Sequence, residues 1–252
     1  MALAPGDIIL LLAAPAIGSF LGTLVLRLPD GEPVVAGRSR CPSCNATLAV
    51  RDLVPIFSWI SSWGRCRHCG APLGLFYPAI ELASLAVAVW SIAVFPGALA
   101  WVSAGLGWTL LTLAEIDRRH FYLPDVLVLP LIPAGLAVVW VWAPQQIAMA
   151  AIGAVAGFLL LAGVRWLYGR LRRREGLGLG DAKLFAAAGA WTTLAGLPSV
   201  LLYAALGGLA TAGLLSLRAS PHRPKADTAL PFGPFLALGI WLVWSFGPIM
   251  GS

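Results

Sequence analysis

Gly176-Leu177-Gly178-Leu179-Gly180-Asp181-Ala182-Lys183 is the stretch on which the reading of this chain turns. It follows the cations Arg170, Arg172, Arg173 and Arg174 and precedes a strongly apolar run. An acid and a lysine therefore stand where a membrane helix is expected to begin. A carboxylate costs free energy there, and that cost points to function. The glycines let the backbone bend and approach other groups closely. The stretch is not a phosphate loop, which ends in Gly-Lys-Ser or Gly-Lys-Thr. The competing reading is a flexible loop with Asp181 as a helix cap.

Working outward, the chain is built of apolar runs. Of its 252 residues 59% are hydrophobic and 11% are charged, with a mean hydropathy of +0.85. Soluble domains carry about a quarter charged residues. Segments near 8–26, 77–95, 98–116, 124–142, 147–168, 184–197, 199–217 and 231–250 are each expected to span a bilayer, which takes about 20 apolar residues. Residues 184–217 as one helix would reach roughly 51 Å, too long for a simple crossing, and Gly196-Leu197-Pro198 offers a turn. Met1 to Asp7 holds no Lys or Arg, so the first segment reads as a retained span rather than a signal peptide.

The charges orient this arrangement. With the N-terminus outside, the inner segments are 27–76, 117–123, 165–183 and 218–230. They hold six, two, six and three Lys or Arg, which is all 17 in the chain. Cytoplasmic loops are enriched in these residues. The net charge of +6 is thus a topology signal, and nucleic acid is not an expected partner; the lipid bilayer is. Gly18-Ser19-Phe20-Leu21-Gly22 and Gly153-Ala154-Val155-Ala156-Gly157 read as places where helices pack closely.

All four cysteines lie in the first inner segment, as Cys41-Pro42-Ser43-Cys44 and Cys66-Arg67-His68-Cys69. Two such pairs suit a tetrahedral all-cysteine zinc site. Two disulfides are the alternative, disfavoured in a reducing cytosol. Four thiolates leave no open position, so the site is expected to be structural. Gly70 allows a tight turn after the second pair. The expected fold is an all-α polytopic membrane protein of about eight transmembrane helices. A small cytoplasmic zinc module separates helices one and two. The divisions are 1–26 for the first helix, 27–76 for the module and 77–252 for the membrane core.

Four acids fall at the inner ends of apolar segments: Glu81, Asp117, Asp125 and Asp181. Asp117 and Asp181 share one expected depth. Two carboxylates that meet there can share a proton, one acting as acid and the other as base. Such a pair can activate water against a peptide carbonyl. Each acid also has a structural reading. Asp117 could pair with Arg118 and Arg119, Asp125 could cap a helix, and Glu81 could fix helix packing through a buried hydrogen bond.

The chain resembles the type IV prepilin leader peptidases, membrane aspartic peptidases of pilus and type II secretion systems. The resemblance rests on Gly18-Ser19-Phe20-Leu21, Arg27-Leu28-Pro29, both cysteine pairs, Pro55-Ile56-Phe57-Ser58-Trp59, and Tyr77-Pro78 with Glu81. It continues in Ile116-Asp117 with Leu123-Pro124-Asp125, Gly178-Leu179-Gly180-Asp181-Ala182-Lys183 with Gly189-Ala190-Trp191, and Pro231-Phe232-Gly233-Pro234-Phe235. It implies that Asp117 and Asp181 are the catalytic pair, with Glu81, Asp125 and Lys183 in substrate-binding or supporting roles. It implies that 77–252 is a peptidase core in the bacterial inner membrane. The substrates are then prepilins or pseudopilins, cut after a glycine at the cytoplasmic face. Many members then methylate the new N-terminus with S-adenosylmethionine. Gly22, where members often have Asn, and Leu53-Val54-Pro55, in place of Asn-Ile-Pro, depart from the pattern in the part associated with methylation. The competing functions are a proton-coupled transporter, whose acids belong near mid-bilayer, and a zinc-bearing membrane scaffold.

Overall fold

A backbone in lipid must satisfy its own N–H and C=O groups, and helices do so within one segment. In a computed structural model the chain folds accordingly. It describes residues 3–34, 37, 39–41, 43–172, 177–218 and 230–249, so Arg38, Pro42, Arg173, Arg174, Gly176, Met250 and segment 219–229 lie outside the described residues. The helices are α1 (Pro5–Arg27), α2 (Phe57–Ser61), α3 (Phe76–Val94), α4 (Ala98–His120), α5 (Asp125–Trp142), α6 (Ile147–Arg172), α7 (Leu179–Arg218) and α8 (Gly233–Phe246). Among the described residues there is no strand, only the isolated bridges Arg40–Thr47 and Arg65–Pro72.

Six helices, α1 and α3 to α7, are long and apolar enough to cross a membrane, and α8 is apolar but shorter. The protein is a membrane protein. The expected pair of segments in 184–217 is present within α7 as two helices that meet at a kink at Thr193, whose φ 61° and ψ 177° are non-helical. The expected turn at Gly196-Leu197-Pro198 is itself helical. A proline ring clashes with the carbonyl four residues earlier, here that of Leu194. The distortion therefore appears on the N-terminal side of Pro198, next to Leu194.

The chain forms two compact units, Met1–Thr112 and Leu113–Ser252, with the boundary inside α4. In the first unit α1 packs on α3. A Cβ at Gly18 would come within 2.7 Å of the Glu81 Cα, and one at Gly22 within 3.1 Å of the Tyr77 ring. Ser84 donates to the Ala14 carbonyl at 2.7 Å, and Trp108 Nε1 donates to the Ser84 carbonyl at 3.0 Å. In the second unit α6 and α7 touch backbone to backbone. A Cβ at Gly157 would stand 2.6 Å from the Phe185 carbonyl, and one at Gly189 would collide with the Gly153 carbonyl. The two small-residue runs on α1 and α6 are thus packing seams. Trp191 ties α7 to α5 through a 2.8 Å hydrogen bond from Nε1 to the Leu131 carbonyl.

Candidate active site

The cysteine module in the first unit is two copies of one turn. In the first copy the Cys41 amide donates to the Ala46 carbonyl at 3.0 Å, and the Asn45 amide donates to the Cys41 carbonyl at 2.9 Å. In the second the Cys66 amide donates to the Ala71 carbonyl at 2.8 Å, and the Gly70 amide to the Cys66 carbonyl at 2.8 Å. Both turns close through a left-handed residue, Asn45 at φ 57° and Gly70 at φ 72°. Glycine and asparagine tolerate that conformation best.

These turns bring the ligand atoms of Cys41, Cys44, Cys66 and Cys69 within 4.8 Å of one another. The Sγ···Sγ distances are 3.9 Å for Cys41–Cys69 and 4.0 Å for Cys44–Cys66. A tetrahedral site with Zn–S bonds of about 2.3 Å has sulfurs about 3.8 Å apart. All four cysteines are free thiols, so the disulfide alternative does not occur, and the cluster can hold a metal ion. The Cys44 and Ser43 amides pull the Cys41 thiol down to about 6, against the effect of burial. At Cys44 the Ala46 amide pulls downward, but burial and the thiols of Cys69, Cys41 and Cys66 push it up to about 11. Crowded sulfurs that cannot all ionise alone suit a cation at their centre. Arg67 forms an ion pair with Asp52 at 3.3 Å and donates to Ser61 Oγ at 2.8 Å.

Glu81, on α3, is buried. Its Oε2 accepts a 2.7 Å hydrogen bond from the amide of Ile56, and the Ser19 hydroxyl is a second partner. Ile56 is left-handed, at φ 62° and ψ −52°, an unfavourable state for a β-branched residue. Glu81 therefore fixes helix α1 and a strained loop turn to α3, in agreement with its structural reading. It also lines a cavity of about 820 Å³ with Ser19, Arg27, Glu32, Trp59 and Tyr77.

The second unit assembles the other acids. Asp117 and Asp181 are 6% and 8% exposed, and they lie close enough for their charges to interact. Arg118 and Arg119 do not take Asp117; both bind Glu115, at 2.6 and 2.7 Å. Asp117 Oδ2 instead accepts the Gly233 amide at 2.9 Å, across 116 residues of sequence. A Cβ at position 233 would lie 2.7 Å from that oxygen, so the contact requires glycine. Asp181 Oδ2 accepts the Gly178 amide at 3.1 Å. That bond is half of a capping box, from the third helical residue back to the cap. Asp181 therefore takes part in capping α7 from its third position, close to its structural reading, and its charge is within reach of Asp117. Among the described residues each acid has one oxygen held by an amide, with no hydrogen bond on its other oxygen.

Asp125 does not cap α5: Pro124 is the cap residue, with no side-chain bond. Both oxygens of Asp125 accept from Lys183 Nζ at 2.7 Å. Sequence reasoning assigned no role to Gly233. Its signal was a glycine beside a proline at a helix start, but which side chain it would meet depends on the three-dimensional packing.

With this geometry in view, known proteins give a consistent picture. Residues 12–95 match the bacterial peptidase A24 N-terminal domain, and residues 104–213 match the type IV leader peptidase family. A prepilin leader peptidase/N-methyltransferase of Burkholderia pseudomallei (strain K96243) is 41% identical over 249 residues, covering 88% of this chain and 80% of that protein. Proteins of the same name are 37% identical in Aeromonas hydrophila, over 92% of this chain and 87% of that protein, and 39% identical in Dickeya chrysanthemi, over 91% and 88%. No solved structure matches the chain.

Proposed function

Since the chain belongs to the type IV leader peptidase family, we propose that it is a membrane aspartic endopeptidase that removes the leader from prepilins or pseudopilins. Cleavage takes place at the cytoplasmic face of the bacterial inner membrane. Asp117 and Asp181 are the catalytic pair. The observation that carries this reading is a pair of buried acids within reach of each other's charge, each tethered through one oxygen to a backbone amide. Fixed carboxylates need little reorganisation during reaction.

One carboxylate, ionised, takes a proton from water as the oxygen attacks the scissile carbonyl. The other, protonated, donates to the developing oxyanion. A proton then passes to the leaving amine as the C–N bond breaks. The products are the leader, with a new carboxylate, and the shortened pilin, with a new amine. The leader's basic residues are held by the anionic bilayer surface, and its apolar neighbour lies among the helices. All 17 Lys and Arg on the segments assigned to the inner side support this orientation. Acids at the starts and ends of helices, rather than mid-span, do not suit a transporter.

The metal of the four-cysteine cluster is zinc in this reading, held by Cys41, Cys44, Cys66 and Cys69 with a structural role. The relatives' shared name supports a second activity, methylation of the new amine with S-adenosylmethionine. The cavity of about 820 Å³ beside Glu32 and Glu81 falls in the size range of small-molecule sites. Its lining carries both signs, with Glu32, Asp52 and Glu81 beside Arg27, Arg40, Arg65 and Arg67. To test the peptidase, the purified protein is mixed with a prepilin. The expected result is loss of the leader mass; an intact prepilin under conditions that keep the protein folded contradicts the assignment. Labelled S-adenosylmethionine added to the same reaction tests methylation, which requires label on the pilin amine.

A further inference from the structure

Asp125 and Lys183 sit on the two elements that carry the acids. Asp117 lies in the last turn of α4, whose chain reverses through left-handed Phe121 at φ 51°. The reversal delivers Leu123-Pro124-Asp125 to the start of α5. Asp181 lies in the first turn of α7, and Lys183 follows two residues later. The two segments touch at two points. A Cβ on Gly180 would lie 2.8 Å from Leu123 Cβ, so the neighbour of Asp181 rests on the turn that leaves Asp117. Beside that seat Lys183 bridges both oxygens of Asp125 at 2.7 Å.

We propose that the Asp125–Lys183 ion pair and the Leu123–Gly180 seat form a positioning clamp that sets Asp181 against Asp117 for catalysis. The inference rests on the assignment of those two acids as the catalytic pair. Stability alone does not account for the arrangement. Asp125 is 55% and Lys183 22% exposed at the side chain, and exposed ion pairs contribute little to folding. The bridge joins residues 58 apart in sequence, and its two arms are short in sequence: eight residues from Asp117 to Asp125 and two from Asp181 to Lys183. A small displacement of either arm is therefore passed to a reacting oxygen, where errors near 1 Å lower rates by about a hundredfold.

The test is steady-state cleavage of a prepilin by the full-length protein with Asp125→Asn, Asp125→Ala, Lys183→Ala or the double alanine change. Asp125→Glu and Lys183→Arg serve as conservative variants. The expected result is a fall in kcat of about tenfold to a hundredfold, with KM within twofold and the thermal midpoint unchanged. The double variant should lose no more than the worse single. Lys183→Arg should recover most of the loss. Asp125→Asn keeps size and exposure, so it reports on the clamp even if a lysine variant fails to fold. Unchanged kcat in Asp125→Asn overturns the clamp, as do losses that multiply in the double variant. Asp117→Asn and Asp181→Asn run alongside. If either cleaves normally, the catalytic assignment itself fails, whatever the clamp variants do.

Discussion

The four cysteines and the two buried aspartates are held together in different ways. The sulfurs are placed by local turns: each pair is closed by hydrogen bonds within five residues of its first cysteine. The aspartates are placed by helix ends far apart in the chain, with Asp117 seated on an amide 116 residues away. The first arrangement survives changes in helix packing, whereas the second depends on them. The first can also hold a cation among its sulfurs. Each acid instead has one oxygen tied to an amide, and in the proposed mechanism the other serves substrate or water. The proposed metal centre and the proposed catalytic pair thus differ in what their donor atoms have left to do.

The largest expected effect lies on the aspartate side. Asp117→Asn and Asp181→Asn should each lower single-turnover cleavage by at least roughly a thousandfold, leaving metal content near one equivalent per chain. A loss of only a few-fold in either would break the comparison. Gly233→Ala comes next. Its methyl would stand 2.7 Å from Asp117 Oδ2, so the carboxylate must move. Cleavage should fall by about tenfold to a hundredfold, with KM little changed.

On the cysteine side the effects should be structural first. Cys41→Ser should reduce bound metal and make residues 27–76 more sensitive to limited proteolysis, while cleavage falls far less than with loss of an acid. Because protons compete with metal for thiolates, retention in metal buffer should weaken as pH is lowered. Metal retained in full after this substitution would remove the four-sulfur site. The smallest effect belongs to Gly70→Ala. A side chain at φ 72° costs about 1–2 kcal/mol, read as a lower temperature of metal release with cleavage unchanged.

The sequence carried unequal shares of these two regions. Apolar runs located the helices to within a few residues, as with 124–142 against Asp125–Trp142. Cysteine spacing located the whole four-sulfur cluster, because each knuckle is local. The break in α7 was placed at Gly196-Leu197-Pro198 but occurs at Thr193, since a proline acts on the carbonyl four residues before it. The structural reading of Asp125 as a cap gives way to an ion pair, which sequence does not show because its partner, Lys183, is 58 residues away. Charge topology gives the acids an expected depth but says nothing of their tethers to Gly233 and Gly178. Gly233 meets Asp117 only once α8 has packed against the end of α4.

The most direct test is binding of a prepilin peptide whose scissile amide is replaced by a hydroxyethylene group. Its hydroxyl stands where the attacking water and oxyanion develop, so it reports on both carboxylates without turnover. The wild-type protein should bind it at least tenfold more tightly than the parent peptide bound under single-turnover conditions. Asp117→Asn and Asp181→Asn should each remove that advantage and leave parent-peptide binding intact. Equal affinity for the isostere in wild type and in either variant would contradict a dyad of Asp117 and Asp181.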